Sequence, residues 1–312
     1  MKKIITLTLS PAFDLHCRCD GLALYEENLA HVTSLDAGGQ GINIARALTA
    51  NNTPCFALTV LGEDNCDAFE KQLCREEITY KAIRRPGRIR ENVTIHTQGK
   101  AETRISFSGF SADESVLEEL ETEILSYVGE NGSFYLTLTG RVPDGIPMAA
   151  VHAFLLRMKA RGAAIIIDSK SFTKDDILTV RPWLIKPNED EITLYADAPI
   201  HTLEDAACTI CDLHRQGIDH VLLTQGEKGA LLATSDGVLK ASVPQIRVLS
   251  TVGAGDSSIA GFLSAHQKGL PLADCLSTAL AFGSAACLRD GTAPPLPEDI
   301  ENIKKEINVD VF

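Results

Sequence analysis

Residues 134–168 read FYLTLTGRVPDGIPMAAVHAFLLRMKARGAAIIID, and this stretch decides the fold. The runs Phe134–Leu138 and Ala164–Asp168 are short, apolar and rich in β-branched residues, which is typical of strands, whereas Pro147–Arg161 between them has a helical pattern. Because this alternation recurs along the chain, the sequence predicts an α/β fold with a mostly parallel sheet flanked by helices. The ligand site of such a sheet lies at the carboxyl ends of its strands.

The same pattern extends outward in both directions. Further strands are predicted at Thr6–Leu9, Phe56–Leu61, Leu184–Lys186 and His220–Thr224. Further helices are predicted at Gly41–Ala50, Cys66–Glu77, Glu189–Leu194, Leu203–Gln216, Ser257–Lys268 and Leu272–Leu288, and the polar tail Pro294–Phe312 is predicted to close the fold as a helix.

Two stretches, His16–Asp36 and Lys81–Phe110, break the alternation because polar and apolar residues alternate there without a helix between the runs. We expect strands of a small accessory sheet, with contributions from about residues 14–36 and 88–110. Such a sheet would form a lid over the site of a single domain spanning residues 1–312, and its uncovered face would suit a partner subunit.

The composition limits the classes of function. A chain of 312 residues with 45% hydrophobic and 23% charged residues is typical of a globular protein. Its 29 Lys and Arg against 42 Asp and Glu give a net charge of −13, which disfavours nucleic acid and anionic lipid as partners. An anionic ligand must therefore be held by a local cluster of basic side chains or backbone N–H groups.

The amino terminus and the cysteines bear on location. Met1-Lys2-Lys3 leads directly into a strand pattern, without the cleavage site of a signal peptide, and no apolar window is long enough to span a membrane. Nine cysteines, an odd number, are scattered along the chain, which favours reduced thiols over a disulfide framework. We therefore expect a cytoplasmic protein without a membrane partner.

A glycine-rich turn at residues 250–257, STVGAGDS, opens into a helical run. Closely spaced glycines at a helix start leave backbone N–H groups uncovered, and the helix dipole adds positive potential, so this turn is a candidate anion site. Asp256 in it could accept the proton of a hydroxyl that attacks a bound phosphate. Equally, it could be an ordinary acidic residue that stabilises the helix dipole.

Three segments together resemble the signatures of the ribokinase/PfkB sugar kinases in order and spacing. They are Gly38–Ala45 (GGQGINIA), Lys186–Glu191 (KPNEDE) and Thr251–Asp256 (TVGAGD). Further matches are Thr8–Asp14, Arg90–Asn92, Phe107–Phe110 and Thr224–Gly229. The resemblance covers nearly the whole chain and points to the branch with 1-phosphofructokinase, tagatose-6-phosphate kinase and the minor 6-phosphofructokinase.

This resemblance implies an ATP-dependent kinase with a ribokinase-like fold, Mg²⁺ on the phosphates and a homodimer formed through the lids. Asp256 would be the catalytic base, and the N–H groups around Gly253, Ala254 and Gly255 would stabilise the phosphoryl group in transfer. The nucleotide would be held by Lys186, Asn188, Thr224, Gly226 and Gly229. Asn188 and Glu191 would govern Mg²⁺, through water molecules.

On the acceptor side, the resemblance assigns the sugar to Asp14, Gly39, Asn43 and the lid arginine Arg90. The sequence departs from the branch pattern nearby: Gln40 replaces a usual Lys, and cations are present at Arg141 and Lys170. We expect Arg141 or Lys170 to supply the charge that position 40 lacks, with Arg104 of the lid adding to it. The alternative is that these are solvated surface charges.

The sequence therefore predicts phosphorylation of a phosphosugar, with fructose 1-phosphate as the first choice and tagatose 6-phosphate or fructose 6-phosphate as alternatives. A catalytically silent sugar or nucleotide sensor of the same fold is the alternative from another class. The presence of Asp256 and its glycines favours the enzyme.

Overall fold

The structure, a computed structural model, describes residues 1–97, 102–129 and 132–312. Its strands are β1 (Lys3–Thr8), β2 (Ala12–Cys19), β3 (His31–Gly38), β4 (Phe56–Gly62), β5 (Tyr80–Arg85), β6 (Arg90–Thr97), β7 (Thr103–Ser106), β8 (Phe134–Thr139), β9 (Ala163–Asp168), β10 (Leu184–Ile185), β11 (His220–Thr224), β12 (Ala230–Thr234), β13 (Gly237–Ala241) and β14 (Val309–Val311). Its helices are α1 (Gln40–Ala50), α2 (Cys66–Arg75), α3 (Ser115–Val128), α4 (Met148–Ala160), α5 (Lys174–Val180), α6 (Glu189–Ile192), α7 (Leu203–Arg215), α8 (Ala254–Gln267), α9 (Leu272–Ala286) and α10 (Pro297–Glu306).

The main sheet has ten strands in the order β14-β13-β12-β11-β10-β9-β8-β1-β4-β5. All neighbours from β5 through β11 are parallel, and β12, β13 and β14 add an antiparallel edge. The predicted mostly parallel sheet flanked by helices is therefore confirmed.

Alternate residues of the central strands pack into two separate cores. In β1, Ile5 and Leu7 face helices α3, α4, α5 and α7, whereas Ile4 faces α1, α2, α8, α9 and α10. All three side chains are fully buried, and each such side chain stabilises the fold by about 1.5–3 kcal/mol. Because both faces are covered, the strands read as continuous apolar runs in the sequence.

A second, small sheet is formed by the four strands β3-β2-β6-β7. Its central strands β2 and β6 are parallel, and β3 and β7 are antiparallel to them. The predicted small sheet is thus present. Tyr80–Arg85 does not belong to it, however, because this segment pairs in parallel with β4 as the edge strand of the main sheet. The range of about residues 88–110 expected for the small sheet contains β6 and β7, whereas the part of the stretch Lys81–Phe110 that precedes it belongs to the main sheet.

The carboxyl terminus also differs from the prediction. Helix α10 ends at Glu306, and Val309–Val311 pairs with β13 as an edge strand instead of continuing the helix. Within the described residues, none of the helices has the length and apolar character needed to cross a membrane.

Candidate active site

Polar side chains gather where the parallel strands end. Asp168 is the last residue of β9, Lys186 follows β10 directly, and Thr224 ends β11. Because parallel strands end at the same edge of the sheet, these residues lie close together although they are far apart in sequence. Helix α8 begins at this edge and brings Asp256 to it.

The turn before α8 leaves backbone donors free at the helix start. Gly253 is the N-cap with φ 77°, a left-handed conformation that glycine adopts without strain, and no side chain caps the helix. The N–H groups of Gly255 and Asp256 consequently lack intrahelical acceptors. A Cβ at Gly255 would lie 3.0 Å from the Lys186 Nζ, so glycine also permits the ammonium group to approach this turn.

Asp256 is 5% exposed, and its Oδ2 accepts a 2.8 Å hydrogen bond from Asn43 Nδ2 in α1. Burial raises the pKa of Asp256 to about 7. The Asn43 bond and the cations of Lys186 and Arg46 act in the opposite direction, while the neighbouring Asp168 adds to the rise. A carboxyl group with a pKa near neutrality is suited to general-base catalysis.

Lys186 and Asp168 form a buried ion pair beside Asp256. The Lys186 Nζ lies 3.3 Å from Asp168 Oδ2. Burial lowers the pKa of Lys186, but the carboxylates of Asp168, Glu191 and Asp256 outweigh it, so that the pKa is raised on balance. Lys186 is therefore a fixed cation next to the start of α8.

Asn188 and Glu191 form a capping box at α6. Asn188 Oδ1 accepts from the N–H groups of Asp190 and Glu191, and Glu191 Oε2 accepts from the Asn188 N–H. The motif thus has a local structural role. Glu191 Oε1 lies 3.8 Å from the Nζ of Lys170, which is 84% exposed, so Lys170 is placed on this side of the site.

The predicted nucleotide residues Thr224, Gly226 and Gly229 lie together at the end of β11. The Thr224 N–H donates to the Pro187 carbonyl over 3.0 Å, which ties this turn to the segment before Asn188. Gly229 has φ 97°, and a Cβ there would overlap the Ala241 carbonyl oxygen at 1.9 Å. Only glycine therefore fits this turn.

The predicted acceptor residues lie at the other end of the site, on the small sheet and the start of α1. Asp14 Oδ1 accepts from Asn92 Nδ2 over 2.8 Å and lies 3.4 Å from Arg104 Nη2. The Asp14 carboxylate also approaches Gly38 so closely that a Cβ there would lie 2.1 Å from Oδ2. Gly39, with φ 134°, is the N-cap of α1 and leads to Asn43.

Three arginines share this end of the site. Arg90 donates to Asn92 Oδ1 over 3.2 Å. Its pKa is lowered by burial and also by the positive charges of Arg141 and Arg104, although Asp14 opposes the change. Arg90 is thus affected by two other guanidinium groups and by the carboxylate of Asp14, and a group of arginines of this kind favours an anionic ligand.

The structure therefore divides the predicted residues between two ends of one site. One group consists of Lys186, Asn188, Glu191, Thr224 and Lys170. The predicted acceptor residues form the other group, and Lys170 lies with Glu191 instead of with Arg90, Arg104 and Arg141. Gln40 lies beside Gly140, because a Cβ at Gly140 would be 3.5 Å from Gln40 Oε1.

Three residues that the structure brings into the candidate site were not named from the sequence. Asp168, the partner of Lys186, was signalled by an acidic residue at the end of the buried run AAIIID. Asn92, which bonds both Asp14 and Arg90, ends the matched segment Arg90–Asn92, although no role was assigned to it. Arg46 is 5% exposed in the otherwise small and apolar face of α1, and a charge at such a position indicates a specific partner.

Comparison with known proteins adds independent information. A profile of the "pfkB family carbohydrate kinase" matches residues 5–299. The 1-phosphofructokinase of Haemophilus influenzae is 31% identical over 287 residues, which cover 92% of this chain and 91% of the relative. The 1-phosphofructokinase of Escherichia coli K12 is 32% identical over 262 residues, which cover 84% and 83% of the two chains.

Solved structures agree on the fold. Phosphofructokinase-2 from Escherichia coli, solved in complex with fructose-6-phosphate, superposes with a TM-score of 0.89 at 22% sequence identity. The superposition covers 98% of this chain and 99% of the other. A tetrameric inhibited form of the same enzyme superposes with a TM-score of 0.86.

Proposed function

This chain belongs to the pfkB family of carbohydrate kinases, and we propose that it transfers the γ-phosphoryl group of ATP to a hydroxyl of fructose 1-phosphate, with fructose 1,6-bisphosphate as the product. One observation carries the choice of a phosphorylated acceptor: Arg90 is partly buried, and its pKa is affected by the positive charges of Arg141 and Arg104, so three arginines are grouped at the acceptor end of the site. The buried Asp256, with a pKa raised to about 7, is the candidate base. The carboxyl group would accept the proton of the acceptor hydroxyl, and the arginines would bind the phosphate of the substrate.

Asp256 is the proposed base. Its carboxylate accepts the proton of the acceptor hydroxyl as that oxygen attacks the γ-phosphorus, and the bond from phosphorus to the bridging oxygen of ADP breaks. The N–H groups at the start of α8 and the ammonium of Lys186 offset the negative charge of the phosphoryl group during transfer. This fits phosphoryl transfer, in which positioning and charge stabilisation are the main tasks of the protein.

ATP is proposed to lie along Lys186, Asn188, Thr224, Gly226 and Gly229. The oxygen atoms of Asn188 and Glu191 are hard donors of the kind that Mg²⁺ prefers, and Glu191 Oε1 is not engaged in the capping box. Mg²⁺ usually keeps several waters, so these two residues would hold it through water. When bound, it neutralises charge on the phosphate oxygens.

The acceptor is proposed to lie between the small sheet and α1. Asp14, Gly39 and Asn43 would contact its hydroxyls, and Arg90, Arg104 and Arg141 would bind its phosphate. Arg141 and Lys170 are the two cations that depart from the family pattern. We assign the acceptor phosphate to Arg141, because its charge affects the pKa of Arg90, whereas Lys170 lies beside Glu191.

A homodimer through the small sheet is also proposed. Leu35, Leu15, Val93 and Ile105 form one continuous row across its strands. Leu35 and Ile105 are 44% and 45% exposed, so an apolar face remains uncovered. A second copy of this face would bury both rows and leave the opposite face, with Asp14, toward the substrate.

The proposal also covers the domain organisation of the chain and its cellular compartment. Residues 1–312 would act as one kinase domain, with the small sheet as its lid over the acceptor. All nine cysteines have free thiols. This fits a reducing compartment, so we propose the cytoplasm.

The proposal is tested by measuring ADP release with ATP and a panel of acceptors: fructose 1-phosphate, fructose 6-phosphate, tagatose 6-phosphate and free fructose. We expect the highest kcat/KM with fructose 1-phosphate. A higher value with another phosphosugar would reassign the substrate, and ADP release with none of them would favour a sensor.

A further inference from the structure

We infer that Arg46, which lies outside the substrate-binding set, positions the Asp256 carboxylate by orienting the side-chain amide of Asn43. The inference rests on the proposed function because it assigns a role within that reaction. It makes Arg46 a positioning residue, since Arg46 acts on the base through Asn43.

The amide of Asn43 bridges the two residues. Its Nδ2 donates to Asp256 Oδ2 over 2.8 Å, and its Oδ1 accepts from Arg46 Nη1 over 2.8 Å. An asparagine amide presents a donor on one side and an acceptor on the other. If it turned over, its oxygen would face the carboxylate and its NH₂ group would face the guanidinium, and both contacts would be repulsive. The Arg46 cation therefore selects the orientation in which Asn43 supports the base.

Arg46 is itself fixed on every side. Its Nε donates to Glu76 Oε2 over 2.7 Å, and its Nη2 donates to the Ala37 carbonyl over 2.6 Å. The side chain is only 5% exposed, whereas Glu76 is 32% exposed. Glu76 follows α2, and Ala37 belongs to β3, so the small sheet and two helices together hold the guanidinium. An arginine offers several donors in one rigid plane, which a lysine cannot do.

The positive charge of Arg46 also supports the base, because it favours the ionised form of Asp256. The charged groups that face Asp256 are Asp168, Lys186 and Arg46. Burial and Asp168 raise the pKa of Asp256, and Arg46 and Lys186 oppose this rise. Removal of the Arg46 cation should therefore raise the pKa of the base further, and a larger fraction of Asp256 would be protonated at neutral pH.

The test compares Arg46→Met, Arg46→Lys and Glu76→Gln with the wild type. Arg84→Met is the matched control, because Arg84 is 48% exposed and forms a surface ion pair with Glu70, which is not among the residues of the proposed site. The readouts are kcat and KM for both substrates per folded molecule, and the pH profile of kcat.

We expect Arg46→Met to lower kcat by about 10- to 100-fold, as misplacement of a catalytic group does, with much smaller changes in either KM. The acidic limb of the pH profile of kcat should move to higher pH in this variant. Arg46→Lys keeps the charge, so it should restore the acidic limb while kcat stays below that of the wild type. Glu76→Gln should reduce kcat by less, and Arg84→Met should match the wild type.

A kcat of Arg46→Met within two-fold of the wild type, or an unmoved acidic limb, would overturn the inference. If Arg46→Met does not fold, Arg46→Lys decides: a reduced kcat with a wild-type acidic limb supports the inference, and a wild-type kcat overturns it.

A readout that needs no turnover separates this inference from the proposed function. Carbon NMR of the Asp256 carboxyl group gives its pKa directly in the wild type, Arg46→Lys and Arg46→Met. If no sugar phosphate is phosphorylated, the proposed function fails, while a higher Asp256 pKa in Arg46→Met would still support the role of Arg46. An unchanged pKa would contradict it.

Discussion

The Lys186 ammonium lies 3.3 Å from the Asp168 carboxylate, and the two side chains are 6% and 9% exposed. This pair connects the ends of β9 and β10 directly beneath the start of α8. A buried charge pair contributes little net stability, but the loss of one partner leaves the other uncompensated. The pair therefore stabilises the floor of the site only while both members are present.

Lys186→Met should destabilise the protein by about 3–5 kcal/mol, because Asp168 would remain buried without its cation. It should also raise the KM for ATP, because Lys186 is one of the proposed ATP contacts. Asp168→Asn should cost less, since Lys186 still faces the carboxylates of Glu191 and Asp256. Urea unfolding of both variants measures the difference. A smaller loss for Lys186→Met than for Asp168→Asn would contradict this account of the pair.

Arg141 and Lys170, the two cations that depart from the family pattern, should differ in their effect on the KM for the phosphosugar. Arg141→Ser should raise the KM for the phosphosugar by about 10- to 100-fold, because a charge-assisted hydrogen bond contributes about 1.5–3 kcal/mol. Gln40→Lys should restore part of the loss. Lys170→Ser is the matched change on the other side of the site and should leave this KM within two-fold. Steady-state kinetics would refute the assignment if Lys170→Ser had the larger effect.

The fold was predictable from the sequence for strands that are buried on both faces, and less so for the other elements. Strands such as β8 and β9 are mostly apolar and almost fully buried, so their type was evident and their predicted bounds were within one residue. β5 was not predicted as a strand of the main sheet, because only Ile83 among its residues is buried and an edge strand of this kind has a polar pattern. Helix α3 was not predicted, nor were the antiparallel strands β12 and β13.

The motifs of the sequence indicated candidate site residues but not their pairings. Asp256, Asn43 and the proposed nucleotide residues were named from the family pattern. The pairing of Lys186 with Asp168 depends on which strands are neighbours, and that order cannot be read from the sequence. For the same reason, the sequence did not indicate that Lys170 lies beside Glu191 and Arg141 beside Arg90.

Dimer formation through the small sheet should depend on its apolar row. Leu35→Asp places a charge in that row and should shift the protein toward the monomer, because an unpaired carboxylate in an apolar interface is costly. Leu194→Asp is the control, because Leu194 is 71% exposed and lies outside the small sheet. Sedimentation velocity measures both variants. A Leu35→Asp protein with the same mass as the wild type would exclude this interface.

The structure also predicts a pH dependence of stability. Burial lowers the pKa of His220 from 6.5 to about 4, with His266 and His214 adding to the shift. Above pH 6.5 the residue is neutral in both states. As the pH falls from 6.5 to 4, the unfolded chain binds a proton that the folded protein does not, and stability declines by up to about 3 kcal/mol.

His220→Gln should flatten this decline, while His201→Gln should not, because His201 is exposed. Thermal unfolding between pH 4 and pH 8 provides the comparison. An equal slope in the wild type and His220→Gln would show that other groups cause the pH dependence.

The central claim, that Asp256 removes the proton from an acceptor hydroxyl, is tested most directly by kcat of Asp256→Asn with fructose 1-phosphate. Its affinity for ATP is measured on the same preparation. The amide keeps the size of the side chain but cannot accept the proton, so kcat should fall by about 10²–10⁴-fold while ATP binding is retained. A kcat within a few-fold of the wild type would contradict the assignment of Asp256 as the base.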